Sequence, residues 1–377
     1  MKYRVAGRVA AASIVAISFA ALATPAQAGE KIANSYICVF KNDRVAKADV
    51  PAKANAAARG HGGSVTHVYD AALRGFAANI SEQGMNNMRR NDPSIAYCEQ
   101  DQVMTIGATA KGKPGGGGTT QPAQTTPYGI ARVNGVASYT GSGVAWIIDT
   151  GIDLTHPDLT VDASRGAYFA GRGIADENGH GTHVSGTIAA KNNTIGVIGV
   201  APGATVIPVR VLDRRGSGSN SGVIDGVNWV AAHGHSGDVA NMSLGGGIST
   251  ALDQAVLNAA QSSGVKFALA AGNETDDYHN HSPARIGGNS ANDNVFTVSA
   301  VDSNDRFASF SNYGAGIAFA EPGVGIKSSW LNGGYNTISG TSMATPHLAG
   351  LLLLGAVRDG GAAAADPDST PDVIGVH

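Results

Sequence analysis

The apolar positions of this chain of 377 residues fall into three regimes. Residues 9–23 form one apolar run, with Lys2, Arg4 and Arg8 but no acid ahead of it and Ala26-Gln27-Ala28 behind it. That is the layout of a secretory signal over 1–28, and a run of about 15 residues is short of the roughly 20 needed to span a bilayer. Next come short stretches rich in β-branched and aromatic residues at 35–41 (SYICVFK), 64–70 (SVTHVYD), 75–80 (GFAANI) and 95–104, which predict strands. Between them, 51–59 is alanine-rich and 81–90 opens on a serine cap with Glu82 in the first turn, so both predict helices. The order strand, helix, strand, strand, helix, strand over 29–107 is that of a small ferredoxin-like unit. Residues 108–126, around KGKPGGGGTTQPAQTT, show no apolar periodicity and predict a flexible linker open to proteolysis.

From residue 127 to 377 the pattern changes to continuous apolar blocks at 144–148, 206–211, 239–244, 266–271 and 295–300. Helical stretches at 183–190, 221–232 and 251–262 separate them. Buried apolar strands alternating with helices predict an α/β domain, a parallel β-sheet with helices on both faces. Its end, 360–377, is rich in alanine, proline and aspartate and is expected to be disordered or to wrap the body by itself.

Composition narrows the function classes. With 43% hydrophobic residues and a net charge of -3, the chain is neither largely disordered nor basic enough to suggest nucleic acid. Two cysteines cannot build a zinc module or a disulfide scaffold. The 52 glycines are about twice ordinary usage, so many tight turns or close backbone approaches are expected. From residue 108 onward there are 14 basic and 21 acidic side chains, a moderately acidic body.

Three glycine-bearing segments place reactive side chains at a strand end or helix start. VAWIIDTGID delivers Asp149 at the carboxyl end of a strand, the edge where open α/β sheets form sites. NGHGTHVSGT carries His180 and His183, and SGTSMATPHLAG sets Ser342 at the start of an apolar helix. Singly, each is ordinarily a cap or turn residue. Together they are the parts of a nucleophile, a general base and an orienting carboxylate.

DTGID, HGTHVSGT, AAGN and GTSMATPH, in this order, resemble the subtilisin family of serine proteases, with features of both the subtilisin and proteinase K branches. The resemblance runs from about residue 35 to 354 and implies a subtilisin-like catalytic domain behind an inhibitor-like propeptide. It implies Ser342 as nucleophile, His180 as base, Asp149 as orienting carboxylate and Asn273 as oxyanion donor, with His183 and His347 in structural roles. Ser243, Leu244, Gly245 and Gly246 resemble one wall of the peptide groove, and Gly216, Ser217 and Gly218 the other, for substrate bound by β-strand addition. HPDL and KNNTIGVIGV resemble a calcium loop, implying structural Ca2+ on Asp158, Asn193 and the carbonyls of Lys191, Ile195 and Val197. The proteinase K calcium site lacks its aspartate, because Ala318 stands there. The propeptide is expected to act as chaperone and inhibitor, cut near 107–110. Both cysteines lie in it on strands one and four, neighbours in a ferredoxin-like sheet, so a Cys38–Cys98 bridge is expected in an oxidising compartment. Departures are Asn220, where relatives have a tyrosine closing a substrate pocket, and 274–283, which replaces the stretch shaping the pocket for the residue before the scissile bond.

The expected protein is a monomeric, secreted, autoprocessed serine endopeptidase, extracellular or periplasmic, acting on proteins or peptides, with no nucleic acid, organic cofactor or membrane partner after signal removal. A catalytically inert binding protein has no need of all four active-site residues. An α/β-hydrolase esterase predicts G-x-S-x-G and the order Ser, Asp, His, whereas this chain has Asp, His, Ser.

Overall fold

The computed structural model describes residues 28–107, 121–288 and 294–377. The expected signal, save residue 28, and 108–120 of the expected linker lie outside the described residues. The N-terminal unit consists of β1 (Lys31–Phe40), α1 (Val50–Arg59), β2 (Ser64–Tyr69), β3 (Gly75–Asn79), α2 (Glu82–Asn91) and β4 (Ile95–Thr105). Its strands run β2-β3-β1-β4, antiparallel throughout. Ser81 starts α2 by accepting the Gly84 N–H at 3.1 Å, and Pro51 sits in the first turn of α1, where no N–H is needed. Phe40, Val50, Phe76, Met88 and Ile95 fill the core under the helices. Cys38 lies directly opposite Cys98, their Cα atoms 4.1 Å apart and their sulfurs bonded.

The body begins with α3 (Tyr128–Arg132), β5 (Ala145–Asp149), β6 (Thr160–Val161), β7 (Ala167–Tyr168), α4 (His180–Ala189), β8 (Thr205–Arg210) and β9 (Ser217–Ser219). It continues through α5 (Asn220–His233), β10 (Val239–Met242), α6 (Thr250–Ser263), β11 (Lys266–Ala270), β12 (Val295–Val301) and β13 (Phe319–Pro322). A hairpin of β14 (Ile326–Trp330) and β15 (Gly334–Ile338) then leads into α7 (Thr341–Leu354). Strands β13-β12-β11-β10-β5-β8-β6 pair in parallel as one sheet, as the apolar blocks predicted. Alternate residues of β5 point to opposite cores: Trp146 and Ile148 join α5 and α6, whereas Ala145 and Ile147 join α4 and α7.

Two expectations need correction. Residues 121–126 are not linker but part of the body: Ala123 and Thr125 bridge to Ile195 and Val197, and the Thr125 N–H donates to the Gly196 carbonyl at 2.9 Å. Backbone bonds, which leave no apolar pattern, hold this segment. Likewise 360–377 is not disordered but is bonded along the body. β16 (Arg358–Ala362) and β17 (Val373–Val376) pair antiparallel, and β17 joins β13 at the sheet edge with Ile374 buried against Val301 and Ala320.

The N-terminal unit lies on α5 and α6, where Ile37, Val39 and Tyr69 share a core with Val223, Val227 and Leu252. Beyond that face, β4 pairs antiparallel with β9, setting Val103, Met104 and Thr105 opposite Ser219, Gly218 and Ser217. No helix among the described residues is long and apolar enough to cross a membrane.

Candidate active site

Asp149 is the last residue of β5 and is fully buried. Its Oδ1 accepts the Thr150 N–H at 2.7 Å, and both carboxylate oxygens lie 2.9 Å from His180 Nδ1. A carboxylate can only accept, so Nδ1 carries a hydrogen, and in the neutral ring this tautomer makes Nε2 the acceptor. His180 opens α4 behind Gly179, whose φ of +107° and close approach to the Trp330 ring exclude a side chain. His180 Nε2 is buried with no hydrogen-bond partner among the described residues.

Ser342 lies in the first turn of α7, after Gly340 at φ +152°. Its Oγ donates to the Ser243 carbonyl at 3.1 Å and lies 3.4 Å from the Ile106 carbonyl. The hydroxyl is thus shared between these two carbonyls and does not donate to His180 Nε2. Asn273, just past β11, accepts the Thr341 N–H at 2.8 Å and the Thr341 hydroxyl at 3.1 Å through Oδ1. Only the amide oxygen can accept an N–H, so Nδ2 is turned toward Gly107, where an added Cβ would lie 2.6 Å from it.

Segment 103–107 occupies a groove between the two predicted walls. Thr105 and Gly245 exchange backbone bonds of 3.1 and 3.0 Å, and the Ile106 N–H donates to the Gly216 carbonyl at 3.2 Å. Gly216, Ser217 and Gly218 stand on one side, and Ser243, Leu244, Gly245 and Gly246 on the other. A pocket opens beneath Gly107, walled by Leu244, Ala270, Ala271 and Ala284, with Glu274 and His281 also lining it. Glu274 accepts from Asn312 Nδ2 at 2.7 Å, and His281 Nε2 lies 3.2 Å from Asp276.

The other two histidines of the motifs stay outside this group. His183 Nε2 bonds the Ile326 carbonyl at 3.0 Å and His347 Nδ1 the Met343 carbonyl at 2.9 Å. Burial lowers their pKa values to about 3 and about 4, which keeps both neutral.

The residues of the expected calcium loop do come together. Asp158 Oδ1 accepts from Asn193 Nδ2 at 2.8 Å, and Oδ2 lies 3.2 Å from both the Val197 N–H and the Tyr335 hydroxyl. The Lys191 N–H donates to the Asp158 carbonyl at 2.9 Å, and Ile195 N–H to Asn193 Oδ1 at 2.7 Å. Burial raises the pKa of Asp158. No group of three or more His, Cys, Asp or Glu able to hold a metal occurs among the described residues. A cation here would depend on one buried carboxylate plus amide and carbonyl oxygens, a donor set that suits a hard ion. Gln124, which sequence reasoning missed, brings its Oε1 to the Asn193 N–H at 2.5 Å.

Residues 141–356 match the family model described as the subtilase family. The chain belongs to that family, and the relatives named below carry serine protease or subtilisin names. It is 42% identical over 303 residues to alkaline serine exoprotease A of Vibrio alginolyticus, covering 77% of this chain and 53% of that protein, so it spans about half the length of that relative. It is 44% identical over 300 residues to the extracellular serine proteinase of Thermus sp. (strain Rt41A), covering 78% and 68%. Subtilisin E of Bacillus subtilis (strain 168) is 40% identical over 286 residues, covering 74% and 69%. A solved structure described as a cold adapted subtilisin-like serine proteinase superposes with a TM-score of 0.52 at 43% identity, covering 60% of this chain and 83% of that one.

Proposed function

We propose that this chain is the precursor of a secreted serine endopeptidase that hydrolyses peptide bonds through an acyl-enzyme. The observation that carries the reading is segment 103–107, held as an added strand between two glycine-rich walls with Gly107 against Asn273 Nδ2 and Ile106 against Ser342 Oγ. A peptide in this groove presents its carbonyl to the nucleophile and to the oxyanion donor together.

In the reaction, Ser342 Oγ turns from the Ser243 carbonyl to His180 Nε2, gives up its proton there and bonds to the peptide carbonyl carbon. Asn273 Nδ2 and the Ser342 N–H at the helix start hold the oxyanion. His180 then protonates the leaving amine, and a water activated by the same nitrogen hydrolyses the ester. Asp149 holds the tautomer this cycle needs and steadies the imidazolium.

The N-terminal unit, 29–107, acts as a propeptide that shapes and blocks the groove. Gly107 faces the oxyanion donor, so the first cut falls after Gly107, and the remainder of 108–120 is trimmed later. Calcium held by Asp158, Asn193, Gln124 and the carbonyls of Lys191, Ile195 and Val197 would supply positive charge beside a buried carboxylate, tying 121–126 to the loop. The extracellular setting is supported by the name of the Thermus relative and by the N-terminal signal pattern. The mature enzyme acts as a monomer on protein and peptide substrates.

The test is to express the precursor and Ser342→Ala in parallel. The parent should release a disulfide-containing fragment ending at Gly107, identified by mass, and digest an unfolded protein. Ser342→Ala should stay full length and inert. Self-processing by the variant at the parent's rate contradicts the reading.

A further inference from the structure

Asp176 is a nearly buried carboxylate that makes no contact with the reacting groups, yet it organises the loop that carries His180. Its Oδ1 accepts the N–H groups of Asn178 and Gly179 at 2.8 and 2.9 Å and the Thr150 hydroxyl at 2.9 Å. Its Oδ2 accepts the N–H and hydroxyl of Thr182 at 3.0 and 2.7 Å. Five donors converge on two oxygens. Burial raises the pKa of this carboxyl, and the bonds from Gly179, Thr182 and Asn178 act against that, each favouring the charged form.

The position of that anion matters because His180 is the first residue of α4. A helix N-terminus carries partial positive charge and opposes protonation of a histidine placed on it. A base that must become an imidazolium is poorly served there. We propose that Asp176 is a positioning residue that offsets this field: its charge, held by the N–H groups of Asn178 and Gly179 just ahead of α4 and of Thr182 in its first turn, keeps His180 basic enough to accept the Ser342 proton. This rests on His180 being the base.

Other groups around the pair do not supply that charge in its place. From β5, Asp149 faces Nδ1 and acts directly on the ring. Asp153, on the turn that follows, reaches Thr182 only through its backbone N–H, at 2.9 Å. On α4 itself, His183 is neutral. From β8, Arg210 is engaged by Glu177 at 2.5 Å and by the Ala175 carbonyl at 2.6 Å.

The experiment is the pH dependence of kcat/KM in the processed enzyme. Asp176→Asn should move the acid limb to lower pH by about 0.5–1 unit, the size of a helix-terminus charge effect, and Asp176→Glu should return it toward the parent value. A limb that stays in place while activity or Tm falls means that Asp176 only holds the loop, which overturns the proposal. If Asp176→Asn does not fold, Thr182→Val decides. It removes the 2.7 Å bond but leaves the charge, so the proposal predicts an unmoved limb with a lower Tm, and a limb moved to lower pH overturns it. Should Ser342→Ala retain activity, the failure belongs to the assignment of the base rather than to Asp176.

Discussion

Asp101 on β4 caps helix α5 across the interface between the two units: its Oδ1 accepts the Ser221 N–H at 3.1 Å and its Oδ2 the Ser221 hydroxyl at 2.6 Å. Glu99 does the same for α6, accepting the Ser249 hydroxyl at 2.5 Å and the Ala251 N–H at 3.3 Å. One strand of the N-terminal unit thus satisfies the starts of two helices that lead away from the groove. Replacing Glu99 and Asp101 by alanine removes charged bonds worth about 1.5–3 kcal/mol each before compensation by water. The double variant should shorten the lag between processing and full activity by at least about tenfold, read in a continuous peptidase assay.

The same interface predicts how that lag depends on pH. Burial, reinforced by Glu99, raises the pKa of Asp253 from 3.8 to about 6. The part of this shift that belongs to assembly is the part Glu99 causes across the interface: it makes Asp253 hold its proton more tightly in the assembled state, so assembly is favoured at low pH and loses stability as pH rises toward about 6. Above that window this contribution is constant. The lag should therefore be longer at pH 5 than at pH 7, and Asp253→Asn should flatten the difference. An unchanged profile in the variant removes Asp253 as the cause.

The oxyanion assignment predicts a loss confined to turnover. Asn273→Ala should lower kcat by about 10²–10³ with little change in KM, the loss subtilisin shows when its oxyanion asparagine is removed. Steady-state kinetics on a short peptide substrate separates the two constants. A rise in KM at constant kcat would place Asn273 in ground-state binding instead.

The pocket beneath Gly107 has apolar walls and the Glu274 carboxylate. It should favour lysine over methionine at the residue before the scissile bond, and Glu274→Gln should lower that ratio about two- to fivefold, as for a partly exposed ion pair. Matched peptides differing only at that residue provide the measurement. A ratio that does not change on substitution would show that the carboxylate stays with Asn312 and does not meet the substrate.

All cysteine in the chain lies in the N-terminal unit, as the Cys38–Cys98 bridge. Reductant should lower the yield of processed enzyme from refolding precursor, since loss of such a bridge costs about 2–5 kcal/mol in a small unit. The Tm of the enzyme after release should be unaffected. A reductant-sensitive mature enzyme would mean that the N-terminal unit remains bound.

Much of this site was legible in the sequence because its parts sit where apolar runs end. The block 144–148 leads directly to Asp149, and Ser342 stands at the start of the most apolar helix, so periodicity and glycine punctuation located both. Asp176, Thr341, Glu99, Asp101 and Gln124 were not legible as site residues, since each is an ordinary polar residue whose partner is distant in sequence or chosen only by the packed loop. The order of 121–126 and of 373–376 was hidden for a related reason. The first is held by backbone bonds to 194–197, and the second is a four-residue strand behind DPDSTPD, too short to show a period.

The most direct measurement is covalent labelling of the processed enzyme with a fluorophosphonate, followed by peptide mapping. A single adduct on Ser342, formed in step with loss of peptidase activity and absent when His180→Ala is treated in the same way, is the predicted result. Full peptidase activity with Ser342 unlabelled, or labelling at another serine that tracks inactivation, would contradict the account.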